Sequence, residues 1–154
     1  MDDRQDELFA HRDAAGRMVG FEIKNHASTS YPRGGVRTGF WRSNPLPSDR
    51  HYLLTESAID ALSFQQLHPD LPVAHRSFGG RIGSEQMRVL RDEIDRLPAG
   101  TTVLLAFDGA GDLAGRRYED QIRAILPARL RAETAHPPRC KDWNDYLQSL
   151  ELGR

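Results

Sequence analysis

Apolar positions follow two regimes along the chain. Up to residue 50 they are scattered and alternate with polar ones. Leu8 to Arg12 and Arg17 to Lys24 flank the turn sequence Asp13-Ala14-Ala15-Gly16, which predicts a β-hairpin. Asn25 to Gly35 is dense in Ser, Pro, Gly and Asn and reads as a loop. Val36 to Trp41 predicts a third short strand, and Asn44-Pro45-Leu46-Pro47-Ser48-Asp49 reads as a linker. The expected division is a β-rich N-terminal extension and linker over residues 1–50 and an α/β domain over residues 51–154.

Beyond residue 50, strand and helix patterns alternate. Tyr52-Leu53-Leu54 is a short apolar run, and Ala58 to Leu67 has helical spacing. Leu71-Pro72-Val73-Ala74 predicts a weak strand, with Pro72 towards its start. Met87, Leu90, Ile94 and Leu97 line one face of a helix over Ser84 to Leu97, with Ser84 as its expected N-cap. Thr101 to Phe107 is apolar on both faces, as a buried parallel strand is. A helix over Leu113 to Leu126, a strand over Arg129 to Thr134 and a helix over Trp143 to Leu152 complete the series. This order predicts a small parallel sheet of about four strands flanked by helices.

Composition narrows the possibilities. The 154 residues suit one domain with a small appendage. No run of about 18 apolar residues exists to span a membrane. The polar, acidic start is unlike a signal peptide, so a cytoplasmic location is expected. The single cysteine, Cys140, excludes an internal disulfide and a cysteine zinc site. A net charge of -1 argues against holding nucleic acid by bulk charge alone. The charge is uneven, however: residues 31–50 carry Arg33, Arg37, Arg42 and Arg50 against Asp49. Of the 21 basic residues, only Lys24 and Lys141 are lysine.

In parallel α/β folds, ligands sit outside the carboxyl ends of the strands. Glu56 follows the first such run, Asp108 and Asp112 follow Phe107, and Asp142 and Asp145 follow the last strand and its loop. Carboxylates gathered at one rim repel each other unless a cation neutralises them. An oxygen-only donor set favours Mg²⁺ or Mn²⁺, and with it phosphoryl transfer or phosphodiester hydrolysis. Several of these acids also have local uses. Ser57 and Asp60 form a capping box, and Asp142 is a good N-cap for the last helix.

Three strings occur in order: Leu54-Thr55-Glu56-Ser57-Ala58-Ile59-Asp60-Ala61-Leu62-Ser63, Ala106-Phe107-Asp108…Asp112-Leu113-Ala114-Gly115, and Lys141-Asp142-Trp143-Asn144-Asp145-Tyr146-Leu147. Together they resemble the three motifs of the TOPRIM domain of primases, topoisomerases and small nucleases. The likeness is nearest to the TOPRIM-like domains of plasmid and phage primases and mobilisation proteins, and it covers roughly residues 51–150. It implies a TOPRIM-like Rossmannoid fold with a β-rich piece upstream. By position, Glu56 corresponds to the general acid or base. Asp108, Asp112 and Asp142 correspond to metal-binding aspartates. Asp60 matches an acid common in the primase branch, and Asn144 stands where primases often have another acid. Ser77-Phe78-Gly79-Gly80 resembles the glycine turn after the second strand. The sequence departs from the family in one place. Gly109-Ala110-Gly111 sets Asp108 and Asp112 two residues further apart than the usual Asp-x-Asp.

The expected function is therefore Mg²⁺-dependent nucleotidyl transfer on DNA or RNA, with nucleotides as further partners and other replication or mobilisation proteins beside it. A nuclease using the same acids, or a binding module with an impaired metal site, are the alternatives. Arg33, Arg37, Arg42, Arg81 and Lys141 are candidates for contacting phosphate. Phe40 and Trp41 serve either as stacking surfaces for bases or as ordinary hairpin packing.

Overall fold

A computed structural model describes residues 6–25, 28–109 and 113–152. Eight strands form one sheet in the order β3-β2-β1-β4-β6-β5-β7-β8. The hairpin forms as its alternation predicts, with β1 (Glu7–Arg12) antiparallel to β2 (Met18–Lys24). Two details of the first 50 residues differ from the pattern. Thr29–Ser30, inside the expected loop, adds a short strand β3 to β2. The third strand is reduced to Phe40–Arg42 (β4). Phe40 and Trp41 pair with β1, and Trp41 and Arg42 with β6, so the strand bridges the two.

The remaining strands are β5 (His51–Thr55), β6 (Val73–Ser77), β7 (Thr102–Leu105) and β8 (Arg131–Thr134). All four are parallel, β5 pairing with both β6 and β7, and β7 with β8. Their carboxyl ends therefore share one rim. Because β4 pairs with β6, the N-terminal strands continue the parallel sheet rather than forming a separate one.

Helices α1 (Ala58–Leu67), α2 (Ser84–Ile94), α3 (Leu113–Ile125) and α4 (Trp143–Leu152) cover the faces. Strand alternation sorts the core into two layers. Tyr52, Leu54, Val103 and Leu105 point into one layer, with Phe40, Phe78, Leu90, Ile94 and Ile122. Leu53 and Leu104 point into the other, with Ala61, Phe64 and Trp143. This is why the central strands read as continuous apolar runs. Each fully buried Leu or Phe contributes about 1.5–3 kcal/mol.

Phe40 settles into the core, edge-on to Phe78 at 5.3 Å, and Trp41 packs edge-on to Phe9 at 6.1 Å. Phe40, fully buried, takes the packing role, while Trp41 packs against the core but stays only partly buried. The N-cap of α2 is Gly83, not Ser84. Its backbone N–H donates to the Gln86 carboxamide at 3.1 Å, while that side chain's amide donates to Gly39 and Phe78 carbonyls. Glutamine at this position can satisfy three backbone groups at once, which a serine hydroxyl cannot. No helix among the described residues is long and apolar enough to cross a membrane.

Candidate active site

The rim where the parallel strands end opens into a cleft of ≈ 370 Å³. Glu56 enters it directly after β5, and Asp108 enters after the β7 strand. Asp142 comes from the start of α4, and Asp60 from the first turn of α1. Three separate strand ends thus deliver carboxylates to one space, as the spacing predicts.

Local backbone geometry explains the convergence. The turn after β6 uses Gly79 and Gly80 at φ of 68° and 91°, a left-handed region that glycine enters without a Cβ penalty. The Gly80 N–H donates to the Glu56 carbonyl at 2.9 Å and holds the Glu56 loop in place. Across the cleft, the Gly109 N–H donates to the Lys141 carbonyl at 2.7 Å. A Cβ on Gly109 would stand 2.9 Å from the Cys140 carbonyl oxygen, so only glycine lets the loop after Asp108 lie this close to the loop before Asp142. The Trp143 indole N–H donates to the Ala106 carbonyl at 3.1 Å, which ties α4 to the same strand end.

The capping residues do two jobs. Ser57 caps α1, accepting from the Asp60 N–H at 3.2 Å. The Asp60 side chain does not return to the Ser57 backbone as a capping box requires. It accepts from the Ser57 hydroxyl at 2.5 Å and from the Asn144 N–H at 3.4 Å, linking α1 to α4. Asp142 caps α4, accepting from the Asp145 N–H at 2.8 Å.

Electrostatics mark the cleft. Asp108 is pushed up to about 7, first by burial and then by the negative charges of Glu56, Asp60 and Asp142, against which Lys141 acts. Asp60 is raised as well, chiefly by burial, with Asp142 adding to it and the Ser57 hydroxyl opposing it. These acids are brought close enough to resist joint ionisation. Among the described residues, no group of three His, Cys, Asp or Glu side chains is placed to hold a metal ion as it stands. The donors are nonetheless all oxygen, and mutual repulsion is what a hard divalent cation relieves, so the residues fit Mg²⁺ or Mn²⁺ in chemistry.

The other candidates divide. Arg37, Arg81 and Lys141 line the cleft. Arg37 donates to the Gly79 carbonyl at 2.7 Å and lies 4.3 Å from the centre of the Tyr31 ring. Arg33 and Asn144 do not line the cleft, and the Asn144 backbone serves Asp60 instead. Arg42 is not at the cleft either. Its guanidinium faces Glu93 at 3.6 Å and donates to the Asp13 carbonyl, which fastens β4 to α2 and the hairpin turn. Asp112 lies outside the described residues.

The extension supplies four cleft residues that spacing did not single out: Glu22, Lys24, Thr29 and Tyr31. Lys24 donates to the Ser57 hydroxyl at 3.5 Å, and the Tyr31 hydroxyl donates to the Gly79 carbonyl. Glu22 is buried beside His11 at 3.9 Å. The available signal was the string Phe21-Glu22-Ile23-Lys24, where an acid takes the inward position of an alternating strand.

Comparison with known proteins agrees with this architecture. A chain from a structure of bacteriophage T7 lagging-strand DNA polymerase interacting with primase domains of two gp4 subunits bound to an RNA/DNA hybrid and dTTP superposes with a TM-score of 0.66 and 19% identity, covering 98% of this chain and 74% of that one. The primase fragment of the bacteriophage T7 primase-helicase gives 0.61 and 21%, covering 99% and 61%. The catalytic core of E. coli primase gives 0.59 and 15%, covering 96% and 49%. The chain thus spans only about half to three quarters of these proteins. No curated protein matches it by sequence. The family described as Toprim-like matches residues 53–147, the stretch that holds Glu56, Asp60, Asp108 and Asp142, and the chain belongs to that family.

Proposed function

We propose that this chain is a Mg²⁺-dependent domain of primase type that transfers nucleotides on a DNA or RNA strand, in replication or mobilisation of plasmid or phage DNA. The observation behind this reading is the convergence of Glu56, Asp108 and Asp142 on one cleft whose other walls bear Lys24, Arg37, Arg81 and Lys141. Acid and base side by side suit a ligand that brings both a divalent cation and phosphate. The T7 primase domains with an RNA/DNA hybrid and dTTP support nucleic acid and nucleotide as the partners.

Asp108 and Asp142 would hold the ion, with Asp60 behind them and Asp112 as a further candidate. When bound, Mg²⁺ supplies charge neutralisation at the phosphate oxygens. The protein's own groups do the rest. Lys141 and Arg81, which both line the cleft, orient the phosphate, and Arg37 is fixed for the same task by its bond to Gly79. Glu56 exchanges a proton with the reacting oxygen as general acid or base.

Titration calorimetry with Mg²⁺ tests the site. Binding is expected in the wild type and is expected to fall at least about ten-fold in Asp108→Asn and Asp142→Asn. Unchanged binding in both variants overturns the metal site. Labelled DNA and RNA, with and without nucleotides, then separate the chemistries. Nucleotide-dependent extension is expected. Cleavage without nucleotides makes the chain a nuclease, and salt-dependent binding indifferent to Mg²⁺ makes it a binding module.

A further inference from the structure

A second and larger groove, ≈ 560 Å³, runs beside the acidic cleft. The two share Glu56 and Arg81 as a common border. The outer groove continues between the turn at Ile82 and the first three turns of α3, where Leu113, Arg117, Tyr118 and Gln121 line it.

Its chemistry differs from that of the cleft. Among the described residues, Glu56, on the border, is the one acid that lines it. Other arginines are engaged: Arg42 and Arg76 with Glu93, and Arg129 with backbone carbonyls at the end of α2. Arg81 and Arg117 are exposed, and neither guanidinium has an ion-pair or hydrogen-bond partner among the described residues. Between them lies a surface that is half apolar in character. Leu113, at the start of the helix, is 79% exposed. Ile82 and Tyr118 are only partly buried and pack on the core through their inner sides. Tyr118 is backed by Phe107 at 6.1 Å, so its ring is held in place. Gln121 offers a carboxamide, donor and acceptor together, at the outer end.

We propose that this groove is a second nucleotide subsite, which takes the nucleotide next to the one whose phosphate lies at Glu56. The ligand class is single-stranded nucleic acid. Successive phosphates would meet Arg81 and then Arg117, as their unpaired forks suit phosphate. The intervening base would lie against Leu113 and Tyr118, a sequence-tolerant contact, while Gln121 can meet a base edge. The shared border at Glu56 makes the two spaces one track. The inference rests on the acidic cleft being the place of phosphate chemistry.

The test is competition binding in Mg²⁺ buffer. Unlabelled single-stranded oligonucleotides of about two, four and six units compete with a fluorescent six-unit probe. Wild type is expected to gain affinity with length. Arg117→Ala, at an exposed position, is expected to weaken the six-unit oligonucleotide about ten-fold and leave the two-unit one unchanged. It should also reduce the salt slope by about one. Arg117→Lys is expected to restore the salt slope but only part of the affinity. Equal binding of every length by Arg117→Ala and wild type overturns the subsite. So does an equal loss at every length. In both cases the cleft reading stands. If the wild type binds no oligonucleotide of any length with Mg²⁺ present, the proposed function itself fails, and the subsite with it.

Discussion

Replacing Asp108 by Asn should stabilise the metal-free protein, and should do so increasingly as pH rises. The Asp108 carboxyl is held at about 7, against an ordinary 3.8, by burial and by Glu56, Asp60 and Asp142. Between those two values the folded protein keeps a proton that the unfolded chain has released. Wild-type stability therefore falls as pH climbs from about 4 to about 7, and stays low above. A shift of about three units corresponds to about 4 kcal/mol in full. Asp108 is only half-buried, and solvent screening reduces this to about 1–2 kcal/mol. Asn has the same shape and no charge, so it escapes the penalty. Urea denaturation in chelator at about pH 4 and about pH 8 measures the effect. The two proteins should match at the lower pH, and the variant should be about 1–2 kcal/mol more stable at the higher, a rise of about 3–6 °C in Tm. Adding Mg²⁺ at the higher pH should reverse the order, because the ion rewards the carboxylate it neutralises. A stability difference that does not change with pH would refute the electrostatic account of the cleft.

Three other outcomes follow from the packing around the site. Glu93 accepts from Arg76 at 2.8 Å and from the Tyr52 hydroxyl at 2.7 Å, and also faces Arg42. Glu93→Gln leaves the buried Arg76 uncompensated and should cost about 3–5 kcal/mol in chemical denaturation, with Mg²⁺ affinity intact in the folded fraction. Gly109→Ala places a Cβ against the Cys140 carbonyl, and should weaken Mg²⁺ binding in calorimetry about ten-fold at a cost of about 1 kcal/mol in stability. Trp143→Phe keeps an aromatic ring but removes the donor to the buried Ala106 carbonyl and some buried volume, and should cost about 1–3 kcal/mol by thermal melting.

Much of the site was legible because its acids are local in sequence to features that periodicity reveals. Glu56 follows a strand and precedes a cap, and Asp108 follows a run of apolar residues. Asp142 is the cap of a helix, and its bond to the Asp145 N–H is the one that spacing implies. The arginines were harder. Arg37 and Arg42 lie five residues apart in one basic stretch, yet Arg37 faces the cleft and Arg42 is drawn to Glu93 on α2. Nothing in the local sequence separates them, since the deciding partner is some 50 residues away. Phe40 and Trp41 show the same limit. Either ring could stack on a base, and only pairing of β4 between β1 and β6 buries Phe40 fully and lays Trp41 against the core.

By itself, the sequence determined the alternation of strands and helices, the parallel central strands and the acids at their carboxyl ends. These follow from short-range periodicity and from where a chain must turn. Tertiary structure alone decided that the N-terminal strands extend the same sheet, and so that Glu22, Lys24, Tyr31 and Arg37 join the cleft. It also decided the close passage of Gly109 beside Cys140, and with it the crowding that raises Asp108. Contacts of that kind join segments far apart in the chain, and their energy depends on distance and burial that no local pattern encodes.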